Sequence, residues 1–167
     1  MTDLVTARLL LHPISVDEAE QMVTGEPDAE ARWDDGYPSE GDVAVARRFL
    51  EACASTGDPR PFGPYVIRRI TDGRAIGGVG FHRPPDEHGS VTIGYGLAPS
   101  ARGRGYASEA LRALLSFARS QGIASVKGDA DHDNAASQHV MTAAGMRPVG
   151  EDERVRYFAL SWPAAAM

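Results

Sequence analysis

Apolar positions change their period three times along the chain, and each change marks a different kind of element. Arg8 to His12 is a short apolar run stopped by Pro13, which predicts a first strand. Ser15-Val16-Asp17-Glu18 opens a polar helix, with Ser15 as N-cap and Glu18 completing a capping box. Glu26 to Gly41 is rich in acids, Gly and Pro and reads as a loop. From Asp42 to Ala54 the apolar residues Val45, Ala46, Phe49, Leu50 and Cys53 recur at helical spacing.

The centre alternates instead. Tyr65-Val66-Ile67 and Ala75 to Val79 flank Asp72-Gly73, a hairpin signal. A turn from Arg83 to Gly89 then leads into Val91 to Leu97. There Val91, Ile93, Tyr95 and Leu97 share one face, and Thr92, Gly94 and Gly96 the other. The glycine face lets a ligand or another chain segment come close.

Beyond it the period returns to that of a helix. Ala107, Ala110, Leu111, Leu114, Leu115 and Ala118 form one stripe, closed by Gly122. Ser125 to Asp131 reads as a strand, Asn134 to Ala144 as a helix ending at Gly145, and Val155 to Leu160 as a last strand. The order predicts a mixed α/β (α+β) sheet domain.

Composition narrows the class. A chain of 167 residues fits one domain. We expect that domain to span residues 6–162, with 163–167 a frayed tail. The net charge of −6 argues against general nucleic-acid binding, which needs a surplus of Lys and Arg. A single cysteine, Cys53, rules out an intramolecular disulfide and a cysteine-rich zinc site. Asp129-x-Asp131-x-Asp133 begins like a calcium loop but lacks its Gly and terminal Glu, and His132 and His139 lack a third ligand, so no metal is expected. With no signal-peptide pattern and no long apolar run, the expectation is a cytoplasmic protein without membrane partners.

The chemistry concentrates in Leu97 to Glu109, which runs from strand through a Gly/Arg loop into a helix. The first N–H groups of a helix have no intrahelical partner and donate to anions. Arg102 and Arg104 add two positive charges, while Gly103 and Gly105 allow close backbone approach. This is the pattern of a pyrophosphate cradle. A P-loop needs Gly-Lys-Ser/Thr, but the only lysine is Lys127. A dinucleotide fingerprint needs a third Gly or Ala where Ser108 stands, and belongs in an early βαβ unit. The pyrophosphate of coenzyme A remains, against the plainer reading of a solvated turn.

Arg102-Gly103-Arg104-Gly105-Tyr106-Ala107 resembles the acyl-CoA motif of the GNAT superfamily of N-acetyltransferases. Ile93 to Leu97, Ser108 to Leu111, Asn134 to Ser137 and Gly145-Met146 are similar to that family in the same order. Thr6-Ala7-Arg8-Leu9-Leu10-Leu11 resembles the opening strand of its ribosomal-protein-alanine acetyltransferase branch. The resemblance implies a mixed, mostly antiparallel sheet of about seven strands flanked by helices. It implies acetyl transfer from acetyl-CoA to a primary amine by direct attack in a ternary complex. It assigns the pantetheine to backbone groups of Leu97 and Ala98 and the pyrophosphate to N–H groups from Gly103 to Ala107, with Arg102 beside them. Asn134 would meet the pantetheine arm and Ser137 would lie near the thioester sulfur. A direct transfer leaves Cys53 without a nucleophilic role.

Each assignment has a plainer rival. Asn134 is also a natural helix N-cap, and Ser137 can bond back to its own helix. Where relatives often carry a tyrosine acid this chain has Met141, and where they often carry a glutamate base it has Thr92. That leaves Asp129, ranked first because close relatives often place Glu there, then Asp131 and His82 as candidate bases. An amine of pKa about 10.4 costs about 4.6 kcal/mol to deprotonate at pH 7, an α-amine only about 1–1.4. The alternative function is a degenerate module that binds acyl-CoA as a sensor; a nucleotide-binding α/β domain is a third reading.

Charge is uneven along the chain. Residues 17–42 carry ten acids and only Arg32, a local −9 that suits a cationic amine. Residues 99–127 carry a local +4 that suits a polyphosphate. Trp33 and Tyr37, in the acidic loop, are read either as part of an acceptor pocket or as anchors to the core. A homodimer is left open.

Overall fold

The computed structural model describes residues 2–163, so four of the five residues called a tail lie outside it. Eight strands form one sheet in the order β1-β2-β3-β4-β5-β6-β8-β7. They are β1 (Leu4–Val5), β2 (Leu9–Pro13), β3 (Pro64–Arg69), β4 (Ala75–Phe81), β5 (Ser90–Leu97), β6 (Ser125–Asp131), β7 (Arg147–Glu151) and β8 (Val155–Ser161). Every neighbouring pair is antiparallel except β5–β6.

Eight strands replace the expected seven or so because two carry no readable pattern. Strand β1 is only two residues long, and β7 is exposed at all five positions, so neither alternates. Pro148 is tolerated in β7 because this strand lies at the sheet edge, where a missing N–H breaks no second ladder. Pro13 does not stop β2 but ends inside it, paired with Tyr65.

Helices α1 (Val16–Thr24) and α2 (Glu40–Ser55) cover one face, and α3 (Tyr106–Ser120) and α4 (Ala135–Ala143) the other. Strand alternation sorts the core between them: Tyr65 and Ile67 of β3 pack with α3, while Val66 packs with α1 and α2. The α3 stripe is as expected, with Ala110, Leu111, Leu114 and Ala118 fully buried and Leu115 nearly so. Helix α2 starts two residues earlier than its apolar pattern, because Ser39 caps it and Asp42 returns the bond as the third helical residue.

Two features of the sheet create the site. Strands β5 and β6 pair only at Ser90–Ser125, Val91–Val126 and Thr92–Lys127, and beyond these they separate. On the α2 face, Gly78 lies opposite Gly96 and Gly80 opposite Gly94, leaving a patch of sheet without side chains.

Candidate active site

The Gly/Arg loop leaves β5 through a short 3₁₀ turn, Pro99–Ala101, and enters α3 at Gly105. Gly103 and Gly105 have φ of 79° and 80°, the left-handed region that a side chain disfavours. Side chains of Ser15, Ser39 and Asn134 cap α1, α2 and α4, whereas α3 has no side-chain cap. The N–H groups of Tyr106, Ala107 and Ser108 therefore stay free for an anion, at the positive end of a 15-residue helix. Arg102 and Arg104 are exposed beside them. These residues fit a pyrophosphate.

The gap between β5 and β6 fits the arm that follows it. His82 N–H donates to Thr92 C=O and Ala98 N–H to Ile76 C=O, so even-numbered residues of β5 turn their peptide groups toward β4. Odd-numbered residues turn theirs the other way, and past Thr92 no β6 partner meets them. Tyr95 and the Leu97 N–H thus offer an open backbone edge to an amide-bearing chain, while the Leu97 carbonyl accepts from Arg102 Nε at 3.3 Å. The Ala98 N–H is spent on Ile76, and its carbonyl already accepts from Ala101.

Tyr95 also spans the gap with its side chain. Its hydroxyl donates to the Ser137 carbonyl at 2.8 Å and lies 2.6 Å from Ser137 Oγ. Ser137 therefore bonds across to β5 rather than back along its own helix. Asn134 takes the N-cap role, its Oδ1 accepting from Ser137 N–H at 3.0 Å. Alternation had placed Tyr95 on the buried face without revealing this contact.

On the opposite face, α2 and the strand β4–β5 glycines enclose a cavity of about 720 Å³. Its walls include Ile14, Met22, Phe49, Phe62, Val79 and Phe81. Tyr37 belongs to both earlier readings, lining the cavity while buried in the core edge-on to Trp33. His82 enters from the end of β4 and lies over Gly94, where an added Cβ would come 2.7 Å from Nε2. Partial desolvation against the strand pulls the still exposed His82 imidazole below its ordinary pKa; Arg48 and Arg83 add to this and Asp129 opposes it. Asp129 and Asp131 share the exposed face of β6, and the charge of Asp129 reaches His82 across the gap.

Asp42 is the acid that sequence patterning missed, because its capping-box spacing explains it fully. Oδ2 accepts from Ser39 N–H and Oγ–H, both at 2.9 Å, while Oδ1 points at the glycine floor, 3.2 Å from where a Gly78 Cβ would sit. Burial raises its pKa against those two bonds, and no cation acts on it. Cys53 does not line the cavity, and burial pushes its thiol up.

A β5 that separates from its parallel neighbour, followed by an uncapped helix and a Gly/Arg cradle, defines an acyl-CoA transferase site. The chain belongs to the Acetyltransferase (GNAT) domain family, whose profile matches residues 8–147. It is a GNAT acetyltransferase. It is 27% identical over 152 residues to Uncharacterized N-acetyltransferase YjdG of Bacillus subtilis (strain 168), covering 87% of this chain and 89% of that protein. The ribosomal-protein-S5-alanine acetyltransferase of Vibrio fischeri shares the fold at a TM-score of 0.69 and 14% identity, over 96% of this chain and 97% of that one. The ribosomal L7/L12 alpha-N-protein acetyltransferase RimL, solved with coenzyme A, does so at 0.70 and 19%, over 96% and 98%. No helix among the described residues is long and apolar enough to cross a membrane.

Proposed function

We propose that the chain transfers acetyl directly from acetyl-CoA to an apolar primary amine bound in the 720 Å³ cavity, without an acyl-enzyme. One observation carries the reading. Gly94, Tyr95 and Gly96 line the cavity, and the same stretch of β5 presents its free peptide edge to the gap that suits pantetheine. Amine and thioester then meet on either side of one strand.

The amine nitrogen forms the new C–N bond as the C–S bond breaks. His82 Nε2 takes one proton from the entering ammonium, so the nitrogen attacks in its neutral form. The second proton, lost as the amide forms, goes to solvent. The leaving thiolate takes one from the Tyr95–Ser137 hydroxyl pair, which solvent reprotonates. A lowered pKa keeps His82 neutral and ready to accept at neutral pH. Asp129 acts through its charge on His82 rather than on the substrate. Asp42 meets the cationic form of the amine as it enters, since its Oδ1 is the acid facing an otherwise apolar floor. The backbone edge of Tyr95 and the Leu97 N–H hold pantetheine, and Gly103 to Ala107 the pyrophosphate.

Release of free thiol, measured over a panel of amines, tests the acceptor. Arylalkyl and branched alkyl amines should give the highest kcat/KM. A peptide bearing a free α-amine that reacts faster would overturn the small-molecule reading in favour of a protein N-terminus, the substrate named for RimL. Replacing the base supplies a separate check. His82→Gln should lower kcat/KM about 100-fold or more and abolish the acid limb of the pH profile. A retained limb would remove His82 from the mechanism.

A further inference from the structure

We propose that Arg8 is a positioning residue for the cofactor loop, reaching it from the turn before β2 and fixing the direction of a peptide group that binds phosphate. The proposal rests on the placing of the pyrophosphate at residues 102–107.

Arg8 is 96 residues away in sequence from the carbonyl it holds. Its Nη1 donates to the Arg104 carbonyl at 2.9 Å and its Nε to Glu109 Oε1 at 2.7 Å. Its guanidinium carbon stands 4.5 Å above the centre of the Tyr106 ring. Glu109 Oε2 in turn accepts the Arg8 backbone N–H at 2.9 Å and the Thr6 hydroxyl at 2.5 Å. The turn before β2 and the first turn of α3 are therefore joined by two Glu109 oxygens and one planar guanidinium. Burial alone would raise the Glu109 carboxyl, but hydrogen bonds from Thr6 and Arg8 bring it below its ordinary value, so the anchor stays charged.

The consequence follows from the planarity of the peptide unit. In a trans peptide, the carbonyl of one residue and the N–H of the next point in opposite directions. With the Arg104 carbonyl drawn to Arg8, the Gly105 N–H is turned to the far side, the exposed face where the phosphates dock. No side chain caps this helix end, so no side-chain cap sets that direction from within the loop. Arg8 also keeps its partial exposure, with 46% of the side chain open, so its bonds are worth little as a surface ion pair alone. Their effect is on geometry.

Arg8→Ala should weaken coenzyme A binding, measured by calorimetry, at least tenfold. KM for acetyl-CoA should rise in parallel, while KM for the amine moves less than twofold. Arg8→Lys should recover less than half of the lost affinity, because an ammonium cannot hold the Arg104 carbonyl and Glu109 Oε1 in one plane. Should Arg8→Ala fail to fold, Arg8→Lys is read by the same measure, and a value within twofold of the parent overturns the proposal. A folded Arg8→Ala protein with parental coenzyme A affinity does the same. Gly105→Ala is the control for the loop, since its φ of 80° disfavours a side chain. If Gly105→Ala loses binding while Arg8→Ala keeps it, Arg8 alone is wrong; if both bind normally, the loop placement falls and Arg8 with it.

Discussion

Ser137 Oγ and Tyr95 Oη lie 2.6 Å apart at the mouth of the gap between β5 and β6, and they form a unit. The tyrosine proton goes to the Ser137 carbonyl, so the serine proton goes to the tyrosine oxygen. A proton delivered to the thiolate comes from the pair. Free thiols have a pKa near 8.5, so the help required is modest. Tyr95→Phe and Ser137→Ala should each cost about three- to tenfold in kcat at saturating substrates, the scale of one net hydrogen bond. The double variant should lose no more than the worse single one, since both substitutions break the same path. Multiplicative losses would show two independent roles.

A second residue-scale network bears on stability. His12 lies 2.8 Å from Asp3 and 2.9 Å from Glu18, and Glu18 pairs with Arg68 at 2.7 Å. The Glu18 hydrogen bond raises the His12 pKa above 6.5, with burial opposing and Asp3 assisting. A raised histidine pKa gives stability that is complete below about 6.5 and disappears as pH climbs through the folded value. The melting temperature should therefore fall between pH 6 and 8.5, and His12→Gln should flatten that decline. A parent protein with no decline would contradict the network, which salt should also weaken because its members are part-exposed.

At the scale of elements, the sequence was legible wherever one face is buried. The α3 stripe matches the buried set except at Ala107, which stays half-buried in the first turn, and the β3–β4 hairpin sits where Asp72-Gly73 marked it. Exposed β7 and two-residue β1 were not legible, because neither sorts polar from apolar positions. The separation of β5 from β6 left no trace either: β5 alternates to Leu97 whether or not a neighbour follows it. The bare Thr92-Gly94-Gly96 face was legible as a site of close approach, but not what approaches it. His82 comes from the preceding strand, and only folding brings it over Gly94.

That contact separates two otherwise equivalent glycines. A Cβ at Gly94 meets His82 Nε2 at 2.7 Å, whereas one at Gly96 meets nothing within 4 Å. Gly94→Ala should push the imidazole away and lower kcat/KM at least tenfold, with little change in melting temperature. Gly96→Ala should stay within about threefold of the parent. Equal effects would mean that the ring's seat on β5 is irrelevant to the reaction.

At the scale of the whole molecule, the local charge of −9 over residues 17–42 overstates what an incoming amine meets. Folding brings cations from β3 and the β3–β4 turn to much of that segment. Glu18 is taken by Arg68 and His12, and Asp34 by Arg69, Arg74 and the Ser100 hydroxyl. The Asp34–Ser100 bond also ties the acidic loop to the turn that precedes the cofactor loop. Asp42 has no such partner and faces a cavity whose walls are mostly apolar, with Arg48, Asp58, His82 and Arg83 also lining it. Arg102 and Arg104, by contrast, stand exposed on the cofactor side. Screening reaches exposed charges and largely spares half-buried ones, as the Debye length shrinks from about 10 Å at 0.1 M to about 3 Å at 1 M salt. The two substrates should then respond differently to ionic strength. Raising NaCl from 0.05 to 0.5 M should increase KM for acetyl-CoA severalfold. KM for a monoamine should move less than twofold over the same range. An amine KM with the steeper dependence would return the recognition of the acceptor to the exposed acids of residues 17–42 and take it from Asp42.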